Sequence, residues 1–141
     1  MYIKQYINLK IQELITKHET RDPFKIANIL GIVVLFEELG DIYGYYNKVS
    51  RIPFIHINKK LSETMQRFTF LHELGHALLH PNENTPKLSA VSLHSEMRIE
   101  FEANYFATRF LIDGRHHDYN LRTKHQVLRF YGIPKEMERF I

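Results

Sequence analysis

His72-Glu73-Leu74-Gly75-His76 lies inside the apolar stretch Phe68–Leu79, and no other run limits this chain as much. Residues four apart on an α-helix are offset by about 40° and rise about 6 Å. His72 and His76 can therefore grip one ion from a single helix face. Glu73 lies about 100° round from His72 and about 60° from His76, close enough to hold a water molecule brought to that ion. Two imidazole ligands and an adjacent carboxyl base are the core of zinc peptidase chemistry.

The remaining composition narrows the choice of ligands and of compartment. The 141 residues contain no cysteine, so disulfides and thiolate ligands are excluded and any metal site must use His, Asp or Glu. With 44% hydrophobic and 25% charged residues the chain is globular rather than disordered. Its length predicts one domain over residues 1–141. The opening Met1-Tyr2-Ile3-Lys4-Gln5 lacks the apolar core of a signal peptide, and no uncharged apolar run approaches a membrane span. The expectation is a soluble cytoplasmic protein. A net charge of +3, spread along the chain, does not call for nucleic acid.

The spacing predicts a helix over Ile3–His18, buried through Ile7, Ile11, Leu14 and Ile15. Asp22-Pro23 reads as an N-cap with Pro in the first turn, and Gly31 ends the helix that follows. Three strands are predicted at 32–36, 42–49 and 52–58, with Pro53 suiting an edge or a strand entry. The short turns between them suggest a small, mainly antiparallel sheet. Ser62 caps the motif helix, which runs to about His80, and 81–86 breaks it. A further helix covers Ser95–Ile112. The tail reads as two short helices joined at Gly132. The fold class is thus α+β: a three-stranded sheet packed with the motif helix, a second ligand-bearing helix and short C-terminal helices.

A catalytic zinc keeps three protein ligands and one open position. His80 cannot be the third, because it lies about 12 Å along the helix from His72. It reads instead as a cation at the helix C-terminus, or as exposed. The pattern HExxHxxGxxH also fails, since Leu79 and Asn82 stand where its Gly and His belong. Glu96, Glu100 and Glu102 remain as carboxylate candidates. Glu100-Phe101-Glu102-Ala103-Asn104 has the form ExxAN, in which Glu100 and Asn104 share a helix face. Ala103 lets two helices approach, and Asn104 can hydrogen-bond back to a ligand histidine. Glu100 is the first choice and Glu102 the alternative.

At these residues the chain resembles the ImmA/IrrE family of metallo-endopeptidases. Asp22-Pro23-Phe24-Lys25-Ile26-Ala27 with Leu30-Gly31-Ile32 is similar to that family's opening helix and strand. Ile55-His56-Ile57-Asn58, followed by the run from Arg67 to His80, is the most specific block. Glu100-Phe101-Glu102-Ala103-Asn104-Tyr105-Phe106-Ala107 matches its second-helix motif. The segment after Ile112 matches less clearly. The resemblance implies that His72, His76 and Glu100 are metal ligands and that Glu73 is the catalytic acid/base. It implies zinc as the cofactor, although two histidines and a carboxylate also accept manganese. It further implies cleavage of a helix-turn-helix repressor encoded separately, which relieves repression in a phage, a mobile element or a stress regulon. No direct binding to nucleic acid or membrane is expected.

Other residues carry weaker signals. His94 is a candidate oxyanion donor, with an idle loop histidine as the plainer reading. Tyr43, Tyr45 and Tyr46 could flank an extended substrate lying along the sheet edge, or could simply pack. His56 reads as structural and His116-His117 as a surface pair. The competing functions are a non-catalytic repressor-binding module with a structural metal site, and a toxin- or antitoxin-type partner acting by complex formation alone.

Overall fold

The computed structural model describes residues 2–141. Helix α1 (Tyr2–His18) buries Ile7, Ile11 and Leu14 of the expected stripe, and Ile15 is partly buried. Helix α2 (Pro23–Ile29) opens as the sequence implies, with the Asp22 carboxylate accepting from the Phe24 N–H and Pro at the start. Gly31 follows it at φ 77°, a left-handed turn that delivers the chain into β1 (Val33–Glu37). Strands β2 (Gly44–Val49) and β3 (Ile52–Asn58) form a hairpin closed by Ser50 and Arg51, at φ 50° and 69°. Two positive φ values in a two-residue turn match the twist of the strands that they join.

The α+β class is as expected, and the sheet is mixed. Its order is β1-β3-β2, with β2 antiparallel and β1 parallel to the central β3. The 38–43 connection carries the chain from one edge of the sheet to the other, leaving the slot that β3 fills. Pro53 is tolerated in this central strand because it pairs only with Lys48. The β1 ladder begins one residue later, at Val33 and Phe54. One side chain from each strand meets across the sheet: His56 contacts Glu37 at 2.6 Å and Asn47 at 3.0 Å, and it stacks on Tyr45. His56 is thus structural.

Helix α3 (Glu63–Leu79), capped by the Ser62 hydroxyl, carries the motif. It is not amphipathic through its middle: all nine residues from Phe68 to His76 are buried. The sheet covers one side of α3 and helix α4 (Arg98–Leu111) the other. The α4 helix starts at Arg98, later than its periodicity suggests, because Ser95 and Met97 have non-helical backbone at ψ 137°, after a separate 3₁₀ turn at Val91–His94. Helix α5 (Lys124–Tyr131), closed by Gly132, and a 3₁₀ segment at Lys135–Phe140 complete the core with Leu128, Met137 and Phe140. No helix among the described residues is long and apolar enough to cross a membrane.

Two close approaches aim α3. A Cβ on Gly75 would meet Phe106 at 3.2 Å and the Ala103 Cα at 3.4 Å, so small residues at both positions let α3 and α4 lie together. On the other side, a Cβ on Gly44 would stand 2.6 Å from both the His56 carbonyl oxygen and the Thr69 methyl. Gly44→Ala should therefore destabilise the fold by about 1–3 kcal/mol through overpacking. Urea unfolding should show a lower midpoint at constant m-value. An unchanged midpoint would contradict this packing.

Candidate metal centre

Helices α3 and α4 bring His72, His76 and Glu100 together, with one ligand atom from each within 4.8 Å of the others. Glu100 Oε1 is 2.7 Å from His76 Nε2 and 3.5 Å from His72 Nε2. Ligands about 2.0–2.2 Å from a tetrahedral ion stand roughly 3.4 Å from one another. The His72–Glu100 separation has that value, and the His76–Glu100 pair is drawn closer. None of the three side chains exceeds 1% exposure. Glu102, the alternative carboxylate, is turned elsewhere and contacts His80 at 2.6 Å.

Polar atoms around this point lack partners. His72 Nε2, Glu100 Oε2 and both oxygens of Glu73 are buried without a hydrogen bond. Buried polar atoms normally find a partner, and four orphans around one locus are a strong demand for a ligand. One cation facing two imidazole nitrogens and a carboxylate meets the demand at His72 and Glu100. The residues present therefore fit a divalent metal of borderline or hard character.

The second nitrogen of each imidazole is also engaged. His72 Nδ1–H donates to Asn104 Oδ1 at 2.8 Å, the role expected of Asn104. His76 Nδ1 faces His80 Nδ1 at 3.0 Å. His80 is neither exposed nor simply a cap, being 2% exposed, although its backbone N–H does bond the His76 carbonyl at the helix end. Asking only whether His80 could share an ion with His72 misses this contact. The signal is the repeated four-residue spacing, which puts His80 one turn beyond His76 as a neighbour rather than as a ligand.

Electrostatics follow from burial. Burial pushes the Glu73 carboxyl up to about 8, the nearby Glu100 charge adding to it and His72 opposing it. Burial alone would raise Glu100, yet the two imidazoles beside it hold it down at about 2. Burial lowers His76 to about 4, outweighing its contact with Glu100. Burial acts the same way on His72, but the Glu100 and Glu73 carboxylates overcome it and raise the imidazole. A divalent ion would reverse the pressure on Glu73, favouring its anion.

The other candidates lie outside this cluster. His94 is exposed and reaches Glu136 at 3.6 Å. It lines a groove with Val91, Ser92, Met97 and Glu100, so it borders the centre without a bond to it. Tyr46 is buried and donates to the Pro81 carbonyl, while Tyr45 stacks on His56; both pack. His116 and His117 stack together, and His116 contacts the Tyr131 hydroxyl. The sheet edge expected to take substrate is already occupied at Gly44. There Leu88 forms an antiparallel bridge, with Leu88 N–H to Gly44 O at 2.9 Å and Tyr43 N–H to Leu88 O at 2.7 Å.

The family model described as the IrrE N-terminal-like domain of the peptidase M78 type matches residues 27–140. A Bacillus phage phi105 protein named "Uncharacterized immunity region protein 2" is 38% identical over 107 residues, spanning 75% of this chain and 68% of the relative. The "Metallopeptidase ImmA" of Bacillus subtilis (strain 168) is 29% identical over 141 residues, spanning 95% of this chain and 82% of the relative.

The raised Glu73 carboxyl has a thermodynamic consequence for protein stripped of metal. Between about 4.5 and about 8 the folded chain holds the Glu73 proton more tightly than the unfolded chain does. Its contribution is fully present below pH 4.5 and is lost as pH rises through 8. His76, lowered to about 4, changes chiefly between about pH 4 and about pH 7, and both proteins compared below carry it. From pH 6.5 to 8.5, metal-free wild type should lose on the order of 1–2 kcal/mol relative to metal-free Glu73→Gln. Urea melts of both proteins at the two pH values measure this, and parallel pH dependence would contradict the assigned burial of a neutral Glu73.

Proposed function

The chain belongs to the peptidase M78 family of IrrE N-terminal-like domains, and from that premise we propose that it is a metal-dependent endopeptidase whose substrate is a helix-turn-helix transcriptional repressor. The observation that carries the reading is the meeting of His72, His76 and Glu100 beside a buried carboxyl with no partner of its own. A metal that only braced a fold would need no such group. The relatives support the direction, one being named a metallopeptidase and the other an immunity region protein.

His72 and His76 from α3 and Glu100 from α4 would hold the ion, zinc first by ligand chemistry and manganese second. When bound, the ion supplies a Lewis acid that polarises the scissile carbonyl and acidifies a water molecule. Glu73 would take a proton from the attacking water and deliver it to the leaving amine nitrogen. Asn104 keeps the His72 proton on Nδ1, which leaves Nε2 free to ligate. Glu73 has no exposed surface. The substrate would add along the β2 edge, where Leu88 now bridges Gly44, so the segment around Leu88 must give way for a substrate strand to enter.

That burial also favours a second reading, a closed structural metal site in a module that binds the repressor without cutting it. Repressor incubated with metal-loaded protein separates the two. Cleavage should produce two fragments whose masses sum to the repressor plus one water. Glu73→Gln should retain the metal and slow cleavage by at least about 10²–10⁴-fold. A repressor that stays intact yet leaves its DNA supports the binding module. Wild-type cleavage by Glu73→Gln overturns the assignment of Glu73.

A further inference from the structure

We propose that His80 and Glu102 form a positioning relay that holds the His76 proton on Nδ1 and so presents His76 Nε2 to the metal. The inference rests on the metal reading of the same site and concerns residues that do not touch the ion.

Four side chains lie in a row. Glu100 Oε1 is 2.7 Å from His76 Nε2, His76 Nδ1 is 3.0 Å from His80 Nδ1, and His80 Nε2 is 2.6 Å from Glu102 Oε1. All four are buried. The row has three contacts, and each neutral imidazole carries one ring proton. Both ends are carboxylates, which only accept. With an ion between His76 Nε2 and Glu100, that contact needs no proton. The two ring protons then serve the other two contacts in one arrangement only. His80 Nε2–H donates to Glu102, which leaves His80 Nδ1 as an acceptor, and His76 Nδ1–H donates to it. The proton pattern that satisfies the row is the one that frees His76 Nε2.

The outer end is anchored as well. Glu102 Oε1 is 3.4 Å from Arg98 Nη1, and Arg98 Nη2 is 2.9 Å from Glu83. Arg98 thereby connects the start of α4 to the segment leaving α3. The row fixes the orientation of His76 through its neighbour's ring, as Asn104 fixes His72 directly. The two supports differ in kind: His72 leans on a neutral amide, whereas His76 leans on a chain that ends in a carboxylate. Partners of this type raise the basicity of a ligand imidazole.

The test reads ring protons and metal affinity, not activity. In imidazole ¹H–¹⁵N spectra of zinc(II)-loaded wild type, His76 should carry its proton on Nδ1 and His80 on Nε2. A His80 with a bare Nε2 overturns the relay, and this needs no variant. Competition with a chromophoric chelator should show Glu102→Ala and His80→Ala binding zinc(II) about 10–100-fold more weakly, with folding checked by circular dichroism. The double variant should fall no further than His80→Ala, since both residues act along one path. Glu102→Gln, which keeps an acceptor oxygen, should stay within a few-fold of wild type. If the alanine variants do not fold, the wild-type spectrum and Glu102→Gln decide: a loss of 100-fold or more in that variant overturns the relay. Folded alanine variants with wild-type affinity also overturn it while leaving the metal centre standing. A wild type that takes up no zinc(II) overturns the metal centre itself.

Discussion

Ionisable groups buried between two apolar helices set the terms for everything else in this structure. His72, Glu73, His76 and Glu100 sit among Phe68, Phe70, Leu71, Leu74 and Phe106 with almost no exposed surface. An isolated charge in such surroundings costs many kcal/mol, so the groups must share protons or share a cation. They divide unevenly. Glu100 keeps its charge because two imidazoles face it, while Glu73 has no such partner and is driven toward its neutral form. Positive charge is what the cluster lacks, and its unpartnered atoms point to where that charge belongs.

The rest of the fold delivers these groups to one point and keeps them dry. Glycine at 75 and alanine at 103 remove the side chains that would hold α3 and α4 apart. Without that approach, Glu100 and Asn104 could not reach the two histidines. Gly44 lets β2 press on α3 at Thr69, one helical turn before Glu73, and Leu88 seals the strand beside it. Sheet, helix and intervening segment thus exclude water from the same small volume. A dry volume strengthens each electrostatic contact made inside it.

Much of this is legible in the sequence because the chemistry follows helical geometry. The four-residue spacing of His72 and His76, and of Glu100 and Asn104, is enough by itself to mark a shared face. Asp22, Ser62 and Gly31 likewise mark helix ends through capping that needs only local chain. What escapes such reasoning depends on contacts distant in sequence. The parallel pairing of β1 with β3 is set by which edge the 38–43 connection reaches, and strand periodicity carries no such information. The Ser50-Arg51 turn adopts positive φ without the Asn or Gly that usually signals it. The distance from His72 disqualifies His80 as a ligand but says nothing of its contacts with His76 on the same helix and Glu102 on the next.

Charge counting connects the inner site to its surroundings. Two carboxylates, Glu73 and Glu100, and two neutral imidazoles sum to minus two, which one divalent cation cancels. On the proposed reading, Glu73 is an anion near neutral pH in company with the ion, so its capacity to take a proton is coupled to the capacity to hold metal. A third carboxylate in the same volume would upset that balance. Glu102 avoids doing so because its charge is met from outside by Arg98, whose side chain is largely exposed and is shared with Glu83. In the proposed relay its influence would reach the ion through the His80 and His76 rings, as orientation and basicity rather than as net charge. That separation explains how one short helix segment can place Glu100 and Glu102 two residues apart and give them different work.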